Sequence, residues 1–126
     1  MNPELEAVLA KIRRAELPTF MDLPIDHAHV RGVNFGDTLL HIVAVWGDVE
    51  SARVLLDAGV EIDLPGEHNY TALHEAVGQG HVEMVRLLLA RGADPYKVND
   101  LECDAFGQAE ISPEMIAILE EWRKGR

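Results

Sequence analysis

The sequence predicts an all-α fold: a short stack of antiparallel helix pairs joined by outward-pointing hairpin loops. Three observations carry that expectation. Residues 38–41 read Thr-Leu-Leu-His, and residues 71–74 read Thr-Ala-Leu-His, 33 positions later. The match continues at the same interval, pairing Gly47 with Gly80, Val49-Glu50 with Val82-Glu83, Leu55-Leu56 with Leu88-Leu89, and Gly59 with Gly92. Within each unit the apolar residues recur at helical spacing and the glycines fall where a helix must stop. A unit of this size buries its apolar face only against its neighbours, so a repeated period implies a stack.

The elements follow in order. Asn2-Pro3 opens a helix to about Ala15, with Leu5, Val8, Leu9 and Ile12 on one stripe. Residues 16–33 contain Pro18, Pro24 and Gly32 and read as an irregular connector. Residues 1–33 do not repeat, and are expected to form an N-terminal cap that the short stack needs in order to fold. In residues 34–66, Gly36-Asp37-Thr38 turns into a helix that Thr38 caps and Gly47 ends. Asp48 caps a second helix, with Val49, Ala52, Val54, Leu55 and Leu56 inside, and Gly59 fits the left-handed position after it. In residues 67–99, Asn69 replaces Gly36, Thr71 caps, Gly80 breaks, and Val82, Val85, Leu88 and Leu89 form the inner stripe. Gly92 closes that unit. Residues 100–126 hold a degenerate copy: Asp104 replaces the capping threonine, two residues are missing between the helices, and Ser112-Pro113 restarts the chain as cap and first helical position. Glu120, Glu121, Arg123 and Lys124 make the final helix polar, as an uncovered terminal face requires.

The Thr-x-Leu-His turns and the 33-residue period resemble the ankyrin repeat. The resemblance is strong over residues 34–99, weak to 122 and nearly absent before 34. It implies that Thr38, His41, Thr71 and His74, with Gly47, Gly59, Gly80 and Gly92, are structural, each histidine bonding to the backbone of a neighbouring hairpin. It also implies that hairpin tips and the open side of each first helix form a concave binding surface. By register, that surface comprises Asn34, Phe35, Asp37, Val45 and Trp46. It continues through Glu67, His68, Tyr70, Gly78 and Gln79, then Asp100, Leu101 and Cys103, with Glu110 and Ile111 at its far end.

Composition narrows the partner. The net charge is −11, and residues 34–103 hold twelve acidic and four basic side chains. A phosphate backbone would be repelled, whereas a basic protein surface would be attracted. Phe35, Trp46 and Tyr70 occupy positions that the repeat does not need for packing. Asp37, Glu67, Asp100 and Glu110 line the same edge, with Asp48 and Glu75 nearby. The expectation is an aromatic centre with acidic flanks.

Other chemistry finds little support. The acidic start Met1-Asn2-Pro3-Glu4, the lack of a long apolar run and the single Cys103 together favour a cytosolic, non-membrane chain, expected to be monomeric when unbound. Asp26-His27-Ala28-His29 could offer metal ligands, but nothing nearby in sequence completes a set of four. Cys103 has no adjacent base and lies among Asp100, Glu102 and Asp104, which oppose a thiolate. No phosphate-binding glycine loop is present. The chain is therefore expected to be non-catalytic, without metal or cofactor. The leading expectation is a protein-binding module, with a dedicated inhibitor or immunity protein against a basic toxin or nuclease as its sharper form. The alternative is a regulatory adaptor for an enzyme or transcription factor. A small hydrolase or metal protein stands third, lacking a paired nucleophile and base.

Overall fold

The structure, a computed structural model, describes residues 2–20, 24–32, 36–110 and 112–125. Among the described residues are seven α-helices and no strand beyond one isolated antiparallel bridge, Arg31 to Thr38. The helices are α1 (Pro3–Arg14), α2 (Leu39–Trp46), α3 (Val49–Asp57), α4 (Ala72–Gln79), α5 (Val82–Ala90), α6 (Ala105–Gln108) and α7 (Pro113–Lys124).

They form two rows. One runs α2–α4–α6 and the other α1–α3–α5–α7, and each even helix packs on the odd helix that follows it. The core between the rows is apolar: Leu39, Leu40, Leu55, Leu73, Met84, Leu88, Met115 and Leu119 are among its fully buried side chains. Met84 is buried beside the expected stripe of α5, whereas Val82, like Val49 and Leu56, is only half-buried.

Sequence chemistry sets the helix boundaries. Thr38 and Thr71 each accept a hydrogen bond from the backbone N–H of His41 and His74, respectively. Each histidine returns the bond, its Nδ1 accepting from the threonine N–H at 3.0 Å. Such reciprocal capping satisfies two donors that a helix start leaves open. Asp48, Asp104 and Ser112 cap α3, α6 and α7 through a side-chain oxygen. Gly47 and Gly80 end α2 and α4 with φ of 72° and 76°, a conformation costly for any residue with a Cβ.

Helix α1 packs on α3 with Val8, Leu9 and Ile12 buried. Among the described residues no α-helix of the N-terminal region packs on α2 as α1 does on α3; the described part of the connector buries Phe20, Ile25, Ala28 and Val30. Arg31 then straps this segment to the tips, its Nε donating to the Gly36 carbonyl at 3.2 Å and its Nη2 to the Pro65 carbonyl.

Candidate functional site

The hairpin tips are stitched to one another. His41 Nδ1 is occupied as an acceptor, so its proton sits on Nε2, which donates to the Tyr70 carbonyl at 2.7 Å. His74 repeats the arrangement one unit later, donating to the Cys103 carbonyl at 2.9 Å. Burial holds the proton affinity of both imidazoles below the ordinary histidine range, so each stays neutral and keeps Nδ1 free to accept. The outer tips are joined as well. Asp37 Oδ1 accepts from the Glu67 N–H at 3.1 Å, Asp100 N–H donates to the His68 carbonyl at 3.0 Å, and Asn69 Nδ2 donates to Asp100 Oδ1 at 2.9 Å.

This stitching encloses a cavity of about 310 Å³, lined by Asp37, Glu67, His68, Tyr70, Glu75, Asp100 and Leu101. Four of the seven side chains are carboxylates, and none is a lysine or arginine. Leu101 is 67% exposed and Tyr70 half-buried, giving the opening an apolar edge. His68 lies between two acids, with ring nitrogens 3.7 Å from Glu67 and 3.9 Å from Asp100. A larger groove of about 470 Å³ lies between α5 and α7, lined by Arg86, Leu89, Ala90, Ile118, Glu121, Trp122 and Gly125. It shares no residue with the tips and carries one charge of each sign.

The cavity gathers Asp37, Glu67, His68, Tyr70, Asp100 and Leu101 from the expected binding surface and leaves the other described ones outside. Asn34, Phe35 and Ile111 lie outside the described residues. Trp46, 37% exposed, and the exposed Gln79 are the last residues of α2 and α4, at the far end from the tips. Val45 is half-buried, and its carbonyl accepts from His81 Nε2 at 2.8 Å, a bond between successive units. Asp37 is not only a surface acid, because its bond to Glu67 holds the second tip in place. In the Asp26–His29 segment the His29 N–H donates to His27 Nδ1 at 3.1 Å, which makes a local turn. Among the described residues no set of three histidine, cysteine or acidic side chains could hold a metal ion.

Two residues matter more than sequence position alone suggests. A Cβ at Gly66 would lie against the Asp37 carboxylate and 2.9 Å from His41 Nε2, so only glycine lets the two tips meet. Glu75, on α4, is the second. Burial, and then the charges of Asp37 and Glu67, push its carboxyl up to about 7. The folded protein therefore holds this proton more tightly than the unfolded chain does, and the stability this contributes disappears as pH rises through about 7. Glu75→Gln should accordingly be more stable than the parent at pH 8 by about 1–2 kcal/mol, allowing for solvent around a half-buried group, and indistinguishable at pH 4.5. Thermal melts at the two pH values check this; an equal change at both would remove the carboxylate charge as the cause.

Comparison with known proteins places these features in context. The family model described as ankyrin repeats (3 copies) matches residues 15–99, thereby including the connector before residue 34. Among curated proteins, the chain is 38% identical over 87 residues to the E3 ubiquitin-protein ligase KEG of Arabidopsis thaliana, covering 69% of this chain and 5% of that one. It is 32% identical over 95 residues to protein phosphatase 1 regulatory subunit 12A of Mus musculus, covering 75% and 9%. It is 44% identical over 66 residues to palmitoyltransferase Hip14 of Drosophila melanogaster, covering 52% and 10%. The chain thus spans about a tenth or less of the length of each of these relatives. Among the described residues no helix is long and apolar enough to cross a membrane.

Proposed function

The chain belongs to the ankyrin-repeat family, whose stacked units bind other proteins, and from that premise we propose that it is a non-catalytic module that seats a cationic side chain of its partner in the acid-lined cavity at the hairpin tips. The observation that carries this reading is the composition of the cavity: Asp37, Glu67, Glu75 and Asp100 around an apolar edge, with no lysine or arginine in the wall. An arginine or lysine entering there would gain charge-assisted hydrogen bonds from groups already held in place by the stitching. The proposed division of the chain puts the cavity at a seam. Asp37 belongs to the unit 34–66, Glu67 to Glu75 belong to 67–99, and Asp100 and Leu101 belong to the degenerate unit 100–126, while 1–33 caps the stack.

The sharper form of the proposal is an inhibitor or immunity protein that covers the substrate cleft of a basic toxin or nuclease, with these carboxylates in place of phosphates. The surplus of acids in residues 34–103 supports it. A regulatory adaptor is the second reading, favoured by the similarity to a phosphatase regulatory subunit. Both readings use the same surface and a partner with a basic face, in the cytoplasm.

Removing charge without removing the stitching is the test. In Asp100→Asn the Oδ1 that accepts from Asn69 is retained. The pair Glu67→Gln with Asp100→Asn should weaken partner binding by about 1.5–3 kcal/mol, a ten- to hundredfold rise in Kd, with little change in melting temperature. Affinity capture at low and high salt, followed by titration calorimetry on the captured partner, measures this. A partner that binds the double variant unchanged, and is insensitive to salt, would refute the reading.

A further inference from the structure

One side chain in the cavity differs from the rest. The other three carboxylates belong to the tips and each has a polar neighbour: Asp37 accepts from the Glu67 N–H, Asp100 accepts from Asn69, and Glu67 lies near His68. Glu75 reaches the cavity from α4, the central helix of its row, and is half-buried. Among the described residues no hydrogen bond or ion pair reaches its carboxylate.

The charged and titratable groups around Glu75 offer it no cation. The cavity wall contributes Asp37 ahead of α2, Glu67, His68 and Tyr70 from the second tip, and Asp100 from the third. Helix α2 contributes His41, committed to the Tyr70 carbonyl, and α4 itself contributes His74, committed to the Cys103 carbonyl. Helix α6 has no titratable side chain, although Cys103 and Asp104 precede it. Helix α5 has Glu83 and Arg86, both exposed and paired with each other.

We propose that occupancy of the cavity is proton-linked: Glu75 keeps its proton while the cavity is empty and releases it to solvent when a cationic side chain of the partner enters, so that the grip tightens as pH rises through neutrality. The proposal rests on the reading of the cavity as a cation seat and adds to it a single controlling residue. The exchange balances in charge, since one proton leaves as one positive group arrives. Its physical basis is the competition at Glu75. Burial, joined by the Asp37 and Glu67 charges, favours the neutral acid with a midpoint of about 7, whereas an adjacent cation favours the carboxylate. Between pH 6 and pH 8 the empty cavity goes from mostly protonated to mostly ionised at Glu75, so affinity for a cation should rise about tenfold.

The experiment uses the full chain with N-acetylarginine amide as a single-cation probe, titrated at low salt at pH 6, 7 and 8 and followed by the NMR resonances of Tyr70 and Leu101. The parent, Glu75→Gln and His68→Gln are compared. The expected result is a dissociation constant that falls about tenfold from pH 6 to pH 8 in the parent and in His68→Gln, and stays flat in Glu75→Gln. If the probe moves these resonances with a constant independent of pH in the parent, or if Glu75→Gln keeps the full slope, proton linkage through Glu75 is overturned while the cation seat stands. If the slope vanishes only in His68→Gln, the linkage belongs to His68 and the proposal is overturned. If no cavity resonance moves at any pH, the cation seat and the linkage fall together.

Discussion

Leu73→Ala is expected to cost about 2–5 kcal/mol and to remove a large part of the protein's stability. Leu73 is 1% exposed and sits on α4. That helix touches α2, α5 and α6, so its buried side serves three neighbours. Truncation removes the transfer free energy of the lost methyl-bearing carbons and leaves a hole that the helices packed on α4 cannot collapse into without breaking the stack. A small repeat protein has a total stability of about 5–10 kcal/mol, so the loss is a large share of it. Chemical denaturation followed by circular dichroism would show it as a large fall in midpoint; a loss below about 1 kcal/mol would mean that the centre of the stack packs loosely.

Gly47→Ala is the second substitution with a large expected effect, and Gly80→Ala is its control. Both glycines follow a first-row helix at nearly the same left-handed φ, 72° and 76°. Either alanine pays about 1–2 kcal/mol for that conformation. At Gly80 nothing lies within 4 Å of the added Cβ, and the cost should end there. At Gly47 the Cβ would lie 2.7 Å from His81 Nδ1 and 2.8 Å from its Cγ. The ring cannot simply withdraw, because its Nε2 donates to the Val45 carbonyl. Gly47→Ala should therefore cost about 3–4 kcal/mol, adding a lost inter-unit hydrogen bond and local repacking to the backbone strain. A double-mutant cycle with His81→Ala should recover the excess and leave only the cost seen at Gly80. Equal losses at Gly47 and Gly80 would show that His81 has room to move.

Those two glycines illustrate how much of the fold the sequence discloses. The period of the Thr-x-Leu-His turns marks the caps, the helix ends and the histidine–backbone bonds, because each of these is a local requirement repeated at a fixed interval. The contact between Gly47 and His81 is a meeting of units and appears only when they stack. The need for a bare Cα at Gly66 leaves no mark in local spacing either, because it comes from Asp37 and His41, far back along the chain. The connector reads as irregular because of Pro18, Pro24 and Gly32, yet it supplies Phe20, Ile25, Ala28 and Val30 to the core. Such long-range burial leaves no mark in local spacing.

The candidate site divides in a similar way. Register alone identified Asp37, Glu67, His68, Tyr70, Asp100 and Leu101, since hairpin tips occupy equivalent places in every unit. It also grouped Trp46 and Gln79 with them, but these stand at the C-terminal ends of eight-residue helices, and at about 1.5 Å per residue that is roughly 10 Å from the tips. The sequence places Glu75 only near that edge. What sets it apart is partial burial beside two other carboxylates, which follows from three segments converging in space.

That convergence gives the molecule an asymmetry between how it is built and how its pocket is assembled. Its architecture is modular, since one pattern is copied along the chain. The pocket is not, because it draws walls from three successive modules and hydrogen bonds from the junctions between them. Transplanting any one module into another scaffold would carry the framework and leave the pocket behind. Changing the order of the modules would rewrite the pocket's lining without altering a single side chain inside them.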